Sequence, residues 1–314
     1  MKLEEQLIDC LKKESADLVG FAGIGRLSPD DPVLKIFPGA KSIIGVAFRV
    51  LRGSHRGIEE GSTYYQYTTT GVETVEETVM PAALLKACGV LETNGFSALP
   101  QRRNQLVMQE TGSTNPEVDY REIKRGKTAE QQLNFEQLAV ACGLGELGLH
   151  GTLLTDEFGP LQRYGFILTD ATLAETPLYE SHLCDRCGKC VDSCPGRAIS
   201  KNGEIDRWQC AAYYMGANMR KNPYMPPEAF ADDPERLAII SGEAKLSPER
   251  AKEVIDQLIF YPPVKHGYVG SICGKACDMA CYIHLEQRGL LKKPFKTPFR
   301  KRAEWSLPLL EVKS

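Results

Sequence analysis

Eight of the eleven cysteines in this 314-residue chain fall between positions 184 and 281, and four of them open that stretch as Cys184, Cys187, Cys190 and Cys194, with Pro195 next. Three thiols two residues apart, on a loop that wraps a cubane, can each reach one iron, while a fourth at the start of the next turn points away and serves a second cluster. Zinc needs four ligands in total and leaves both the role of Cys194 and the following proline unexplained. The spacing therefore predicts [4Fe–4S] ligation. If Cys194 belongs to a second cluster, that cluster needs three more thiolates and the first still needs one. Cys210, Cys273, Cys277 and Cys281 remain downstream and meet that demand. The expected sets are Cys184, Cys187, Cys190 and Cys281 for one cluster, and Cys194, Cys210, Cys273 and Cys277 for the other. The last three cysteines are spaced four apart, so on a helix they would share one face; Tyr282 stands where the ferredoxin pattern has proline.

Disulfides are the competing use of so many cysteines, and they belong to oxidising compartments. The N-terminal residues carry Leu3, Leu7, Ile8 and Leu11 among Lys and Glu. That pattern is an amphipathic helix rather than the unbroken apolar stretch of a signal peptide. No apolar run approaches the roughly 18 residues of a membrane span. A cytoplasmic protein is expected, and in a reducing compartment dense cysteine points to metal. The net charge of −3 and a pI near 6.0 advertise no nucleic-acid partner. Cys10, Cys88 and Cys142 lie in apolar helical contexts and read as small hydrophobes.

Ahead of the cysteine block the chain reads as mixed helix and sheet. Helix is expected over residues 1–19, about 72–94 with Leu84, Leu85, Cys88 and Leu91 on one face and Gly95 as C-cap, and 133–142. Strands are expected at 17–24, at 41–50 (apolar on both faces and so central in a sheet) and at 163–169. Residues 109–128 read as an exposed loop. Gly143, Gly145, Gly148, Gly151 and Gly159 imply tight turns or close backbone approach, to another segment or to a ligand. A further helix, 247–258, starts with Pro248 in its first turn. The division expected is 1–175, 176–290 and a basic extended tail, 291–314.

The sequence resembles the cobalamin-dependent epoxyqueuosine reductases and their relatives, the reductive dehalogenases. The resemblance rests on Val19–Ile24 with Phe37–Ile44, on Gly143–Gly148 running through Leu153 and Leu154 to Phe158–Pro160, and on the cysteine order with its lone Cys210. It implies an α/β (α+β) protein: a nitroreductase-like N-terminal domain that holds a corrinoid, then a ferredoxin-like domain with two [4Fe–4S] clusters. Gly143, Leu144, Gly145, Gly148, His150, Gly151, Thr152 and Leu153 would lie against the corrin. His150 invites comparison with a cobalt ligand, but a hydrogen-bonding role is the expectation. The family's acidic proton donor would fall near Ala129, where the nearest acids are Glu130 and, further off, Asp119. The dehalogenases use a tyrosine, for which Tyr64, Tyr65, Tyr67 and Tyr120 are available, each more readily an ordinary half-buried aromatic.

Only 33 residues follow Cys281, so the RNA-binding extension of the tRNA enzymes is not expected, nor tRNA as substrate. Lys292, Lys293, Lys296, Arg300, Lys301 and Arg302 suit a solvated tail, with docking of a ferredoxin- or flavodoxin-type donor as the functional alternative. The leading expectation is a cobalamin-dependent reductase of a small molecule. Its rivals are an electron carrier or reductive activator serving a partner corrinoid protein, and a reductase with FMN in place of the corrinoid.

Overall fold

The computed structural model describes residues 1–60, 62, 66–101, 133–260, 271–300 and 303–308. The chain forms two compact units, one from 1–49, 74–147 and 162–182, the other from 50–73, 148–161 and 183–314.

The first unit is built on a sheet of β1 (Leu18–Gly23), β2 (Ser42–Arg49), β3 (Ala98–Gln101) and β4 (Gln162–Thr169), ordered β1-β2-β4-β3 and antiparallel at every ladder. The mixed class is therefore α+β. β2 is central, and every residue from Ser42 to Phe48 is buried, as its unbroken apolar run requires. α1 (Leu3–Lys13) and α2 (Met80–Thr93) cover the sheet with Leu7, Leu11, Leu84 and Leu91. The predicted face of α2 holds at 84, 88 and 91, whose spacings of four and three keep one azimuth, whereas Leu85 turns outward and is exposed. Gly95 ends α2 at φ +83°, with the Phe96 N–H donating to the Leu91 carbonyl. Pro81, which has no N–H to give, follows the wider π-type turns of Val75–Val79.

Two strand glycines position α3 (Phe135–Ala141). Gly20 and Gly45 are register partners on β1 and β2. A Cβ on Gly20 would stand 2.0 Å from the Cys142 carbonyl oxygen, and one on Gly45 would stand 2.8 Å from the Cys142 Cβ. The pair forms a dimple that admits the turn after α3, where Gly143 adopts φ +71°.

The second unit has its own core of Trp208, Tyr213, Phe230, Ile239 and Val254, among others. It gathers around α4 (Arg207–Tyr214) and α5 (Pro248–Asp256), the latter capped by Ser247, which accepts from the Arg250 N–H. α6 (Ala276–Gln287) follows. The tail is exposed over residues 292–298, as a solvated basic segment would be, and is pinned at Phe299 and Arg300. Phe299 is fully buried against Tyr282, and the Arg52 guanidinium lies 4.1 Å from the Phe295 ring centre while donating to the Thr297 carbonyl. Arg300 grips Glu59 through two hydrogen bonds of 2.8 Å, and Lys292 pairs with Asp156 at 2.6 Å. Hydrophobic contact and charge pairing offset the ordering entropy that a free basic tail would keep. Among the described residues no helix is long and apolar enough to cross a membrane.

Candidate metal centre

The tight cysteine group lies on a loop that bends through left-handed backbone at Arg186 (φ 57°) and Gly188 (φ 77°) before the short helix Lys189–Asp192. These reversals turn successive thiols the same way, as a wrapped cubane needs. Asp185 accepts from the Cys187 N–H at 3.2 Å and fixes the first reversal. After Pro195, a Cβ on Gly196 would stand 2.1 Å from the Tyr213 ring. The chain there runs hard against α4, which carries Cys210. Gln209, also on α4 and fully hydrogen-bonded, donates to the Gly196 and Ala244 carbonyls at 2.8 and 2.7 Å and accepts from the Leu246 N–H. This polar staple sets Cys210 relative to the Cys194 loop.

The last three cysteines do not share one helix. Gly274 and Lys275 both have positive φ, of 63° and 51°, so the chain turns between Cys273 and α6. Only Cys277 and Cys281 lie on α6. Two successive left-handed residues are incompatible with a continued right-handed helix, which corrects the expected single face.

The two ends of α6 are tied to different parts of the cysteine block. At its start, Ser193 donates from Oγ to the Ala276 carbonyl at 3.2 Å, and the Ile272 N–H donates to the Tyr214 carbonyl at the end of α4 at 2.9 Å. These bonds tie together the segments that carry Cys194, Cys210, Cys273 and Cys277. Toward its end, the His284 Nε2 lies 2.9 Å from Asp185, and Arg288 reaches both Asp185 and the Leu183 carbonyl, at 3.1 and 3.2 Å. Those contacts tie the end of the helix that carries Cys281 to the segment of Cys184 and Cys187. The Asp185, Cys187 and His284 side chains converge, their polar atoms all within 4.8 Å of one another.

The electrostatics sort the thiols the same way. Burial raises the Cys281 pKa, helped by Asp278 and by Cys190, Cys184 and Cys187. Burial pushes Cys190 up to about 11, with Cys187 and Cys184 adding to it. Desolvation of the thiol takes Cys210 to about 12 although the residue as a whole is exposed at the surface, and Cys273 and Cys194 reinforce it. Cys277 is raised well above the ordinary range by burial, then by Asp278, Cys273 and Cys210. Thiols held this way are poor anions by themselves and become thiolates when a cationic metal core replaces their protons. As a donor set, the cysteine thiols suit iron–sulfur ligation. Two backbone donors point at sulfur: Leu149 N–H to Cys184 and Ala198 N–H to Cys194, each 3.3 Å.

The glycines of the glycine-rich segment lie in close contact with neighbouring protein atoms. A Cβ on Gly143 would meet the Pro177 carbonyl at 2.4 Å, one on Gly148 the His150 ring at 2.8 Å, and one on Gly151 the Ile205 side chain at 2.8 Å. Protein atoms stand close to where a Cβ would lie at each of these three glycines, so close packing of the backbone requires glycine there. Leu149, His150 and Thr152 face the cysteine block: His150 is buried with Nε2 3.3 Å from Asp278 and off the line of a good hydrogen bond, and Thr152 donates to Asp278 at 3.1 Å. Leu144 and Leu153 are core residues of their respective units. Tyr67 is buried, its ring centre 4.3 Å from that of His55. Tyr64, Tyr65, Asp119, Tyr120, Ala129 and Glu130 lie outside the described residues. Asp278, Gln209 and Ser193 are the residues that sequence reasoning missed. An acid between two presumed cluster cysteines was the one visible signal.

Residues 179–200 match the model of the 4Fe-4S binding domain, which makes this an iron–sulfur protein. The tetrachloroethene reductive dehalogenase of Desulfitobacterium hafniense is 42% identical over 66 residues, 20% of this chain and 12% of that protein. The epoxyqueuosine reductase of Synechococcus sp. (strain CC9605) is 37% identical over 80 residues, 26% of this chain and 25% of that one. A solved catabolic reductive dehalogenase superposes with a TM-score of 0.50 at 15% identity, covering 80% of this chain and 35% of the other, and shares the fold. Over these stretches the chain is similar to epoxyqueuosine reductases and reductive dehalogenases. The matched stretches span a quarter or less of these two relatives.

Proposed function

We propose that the chain holds two [4Fe–4S] clusters, on the two thiol sets described above, and passes electrons through them to a reducible acceptor. The observation that carries this reading is the division of α6, whose start is bonded to Ser193 and whose end is bonded to Asp185. One helix thereby supplies Cys277 to one set and Cys281 to the other. When bound, the clusters supply one-electron transfer. The protein supplies the thiols, and the N–H donors of Leu149 and Ala198 raise the potentials by drawing charge from sulfur. Iron and sulfide analysis after anaerobic reconstitution tests this, with about eight irons per chain expected. A value near four would reject the second cluster.

The acceptor that the family resemblance implies is a corrinoid in the N-terminal, nitroreductase-like domain, with FMN as the alternative. The antiparallel sheet under two helices supports that domain reading, and the likeness to reductive dehalogenases and epoxyqueuosine reductases supports the corrinoid. Titration with cobalamin and then with FMN, followed by absorption, decides: saturable one-to-one binding identifies the acceptor. No binding by either leaves an electron carrier serving a partner corrinoid protein. A ferredoxin- or flavodoxin-type donor suits the one-electron chemistry. Substrate probes are 3-bromo-4-hydroxybenzoic acid, held by one solved dehalogenase, and an epoxyqueuosine-modified tRNA stem loop, held by one solved epoxyqueuosine reductase.

A further inference from the structure

Residues 303–308 form no helix or strand, and they are fastened to the single helical turn Met219–Lys221. The Leu307 N–H donates to the Arg220 carbonyl at 2.8 Å, and the Arg220 guanidinium donates to the Leu307 carbonyl and the Ser306 hydroxyl, each at 3.4 Å. Lys221 pairs with the Glu304 carboxylate and donates to the Trp305 carbonyl at 2.8 Å. Arg300 adds a longer contact to Glu304, at 3.8 Å. Between these anchors Trp305 packs, with Ile58, on the buried side chain of Ile272, one residue before Cys273. Ile58 also presses on the Cys273 turn, since a Cβ on Gly274 would stand 2.2 Å from the Ile58 Cγ2. Lys221, Glu304, Trp305, Cys273, Gly274 and Ala276 all line one recess of about 300 Å³, part of it open to solvent. The recess reaches a cysteine assigned to a cluster, and the strap forms part of its wall. Exposed ion pairs hold weakly and are screened by salt, so the indole on Ile272 is the main fastening.

We propose that the 303–308 strap, seated by Trp305 on Ile272, guards the cluster of Cys194, Cys210, Cys273 and Cys277 by closing the approach that water and small iron ligands take to Cys273. The inference rests on the two-cluster reading. The apolar shell around a metal site controls solvent access to it, and here part of that shell is a segment that can lift. Trp305 sets how well the strap closes, and the Lys221–Glu304 pair sets how often it lifts. Cys210 of the same set is exposed on α4, so the strap closes one approach and not every one. The strap contacts described here include none of Cys184, Cys187, Cys190 and Cys281, so the other cluster is indifferent to it.

The test follows anaerobic iron release from the reconstituted full chain to 2,2′-bipyridine, a neutral chelator, after the iron content of each sample is measured. Freed cysteines are trapped with iodoacetamide and located by mass spectrometry. Trp305→Ala is expected to speed release of half the iron about fivefold, with Cys273 and Cys277 trapped ahead of Cys184 and Cys187. Trp305→Phe is expected to restore the wild-type rate. Glu304→Gln is expected to give a smaller increase, and added salt to speed release from the wild type more than from Glu304→Gln. Release at the wild-type rate from both Trp305→Ala and Glu304→Gln overturns the inference and leaves the two clusters standing. Acceleration of all the iron together also overturns it, because a merely structural role would loosen both thiol sets. Wild-type protein that holds only about four irons rejects the two-cluster reading, and the inference with it.

Discussion

The two compact units are held by different physics. In the first, residues 18–49 and 98–101 and 162–169 make a regular antiparallel sheet whose central strand is apolar on both faces, with helices sealing it through Leu7, Leu11, Leu84 and Leu91. In the second, the core of Trp208, Phe230 and Val254 belongs to the stretch around α4 and α5, while the cysteine loops hang on single polar contacts such as those of Gln209, Ser193 and Asp185. A sheet core gains stability in proportion to apolar area buried. The cysteine segments bury fewer apolar side chains, among them Leu183, Ile199, Ile272 and Met279, and metal ligation would add to what these contribute.

Removing iron breaks the comparison most sharply. Chelation under anaerobic conditions is expected to expose 183–206 and 271–290 to limited proteolysis while cleavage within 1–49 stays slow. Equal protection of both regions without iron would show that the loops fold unaided. Next in size, Phe166→Ala in β4, at a side chain with no exposure, is expected to cost about 3–5 kcal/mol in denaturant unfolding. Iron per folded chain should not change. Phe299→Ala carries a similar expected cost of about 3–5 kcal/mol, now in the second unit, and a solvated tail would show none. Gln209→Ala removes a staple of three hydrogen bonds. It should cost about 1–3 kcal/mol and speed iron loss from the cluster of Cys194 and Cys210.

The smallest effect concerns Cys142. Burial pushes its thiol up to about 12. A raised folded-state pKa means that its contribution is intact below the unfolded value, about 8.5, and is lost as pH rises toward the folded value. Native protein should therefore resist alkylation at Cys142 at pH 8, and its melting temperature should fall on the alkaline side. Alkylation as fast as that of an exposed thiol would contradict the packing of Gly20 and Gly45 around this residue.

Much of the sheet unit was legible because local patterns report it. The double-sided apolar run of 41–50, the helical spacing of Leu7 and Leu11 and the glycine cap at 95 each follow from backbone geometry within a few residues. Leu85 was misplaced because one residue is a rotation of 100° on a helix. The dimple of Gly20 and Gly45 was not legible, since nothing near either glycine reveals that Cys142 packs on both. The pinning of the basic tail was not legible for the same reason: Arg52 and Glu59, which hold it, lie about 240 residues away in sequence.

By itself the sequence determined that the chain binds iron–sulfur, because thiolate number and spacing are properties of a continuous segment and cubane ligation accepts few alternatives. It also proposed which thiols pair, by counting. Only the tertiary structure decided that Cys273 stands off the helix, that the glycine-rich segment turns its side chains toward the cysteine block, and that a buried carboxylate sits between the thiol sets. Those facts depend on contacts between residues more than a hundred positions apart, such as Thr152 with Asp278. No local propensity encodes them, since each is chosen by packing and by the need to satisfy buried polar groups.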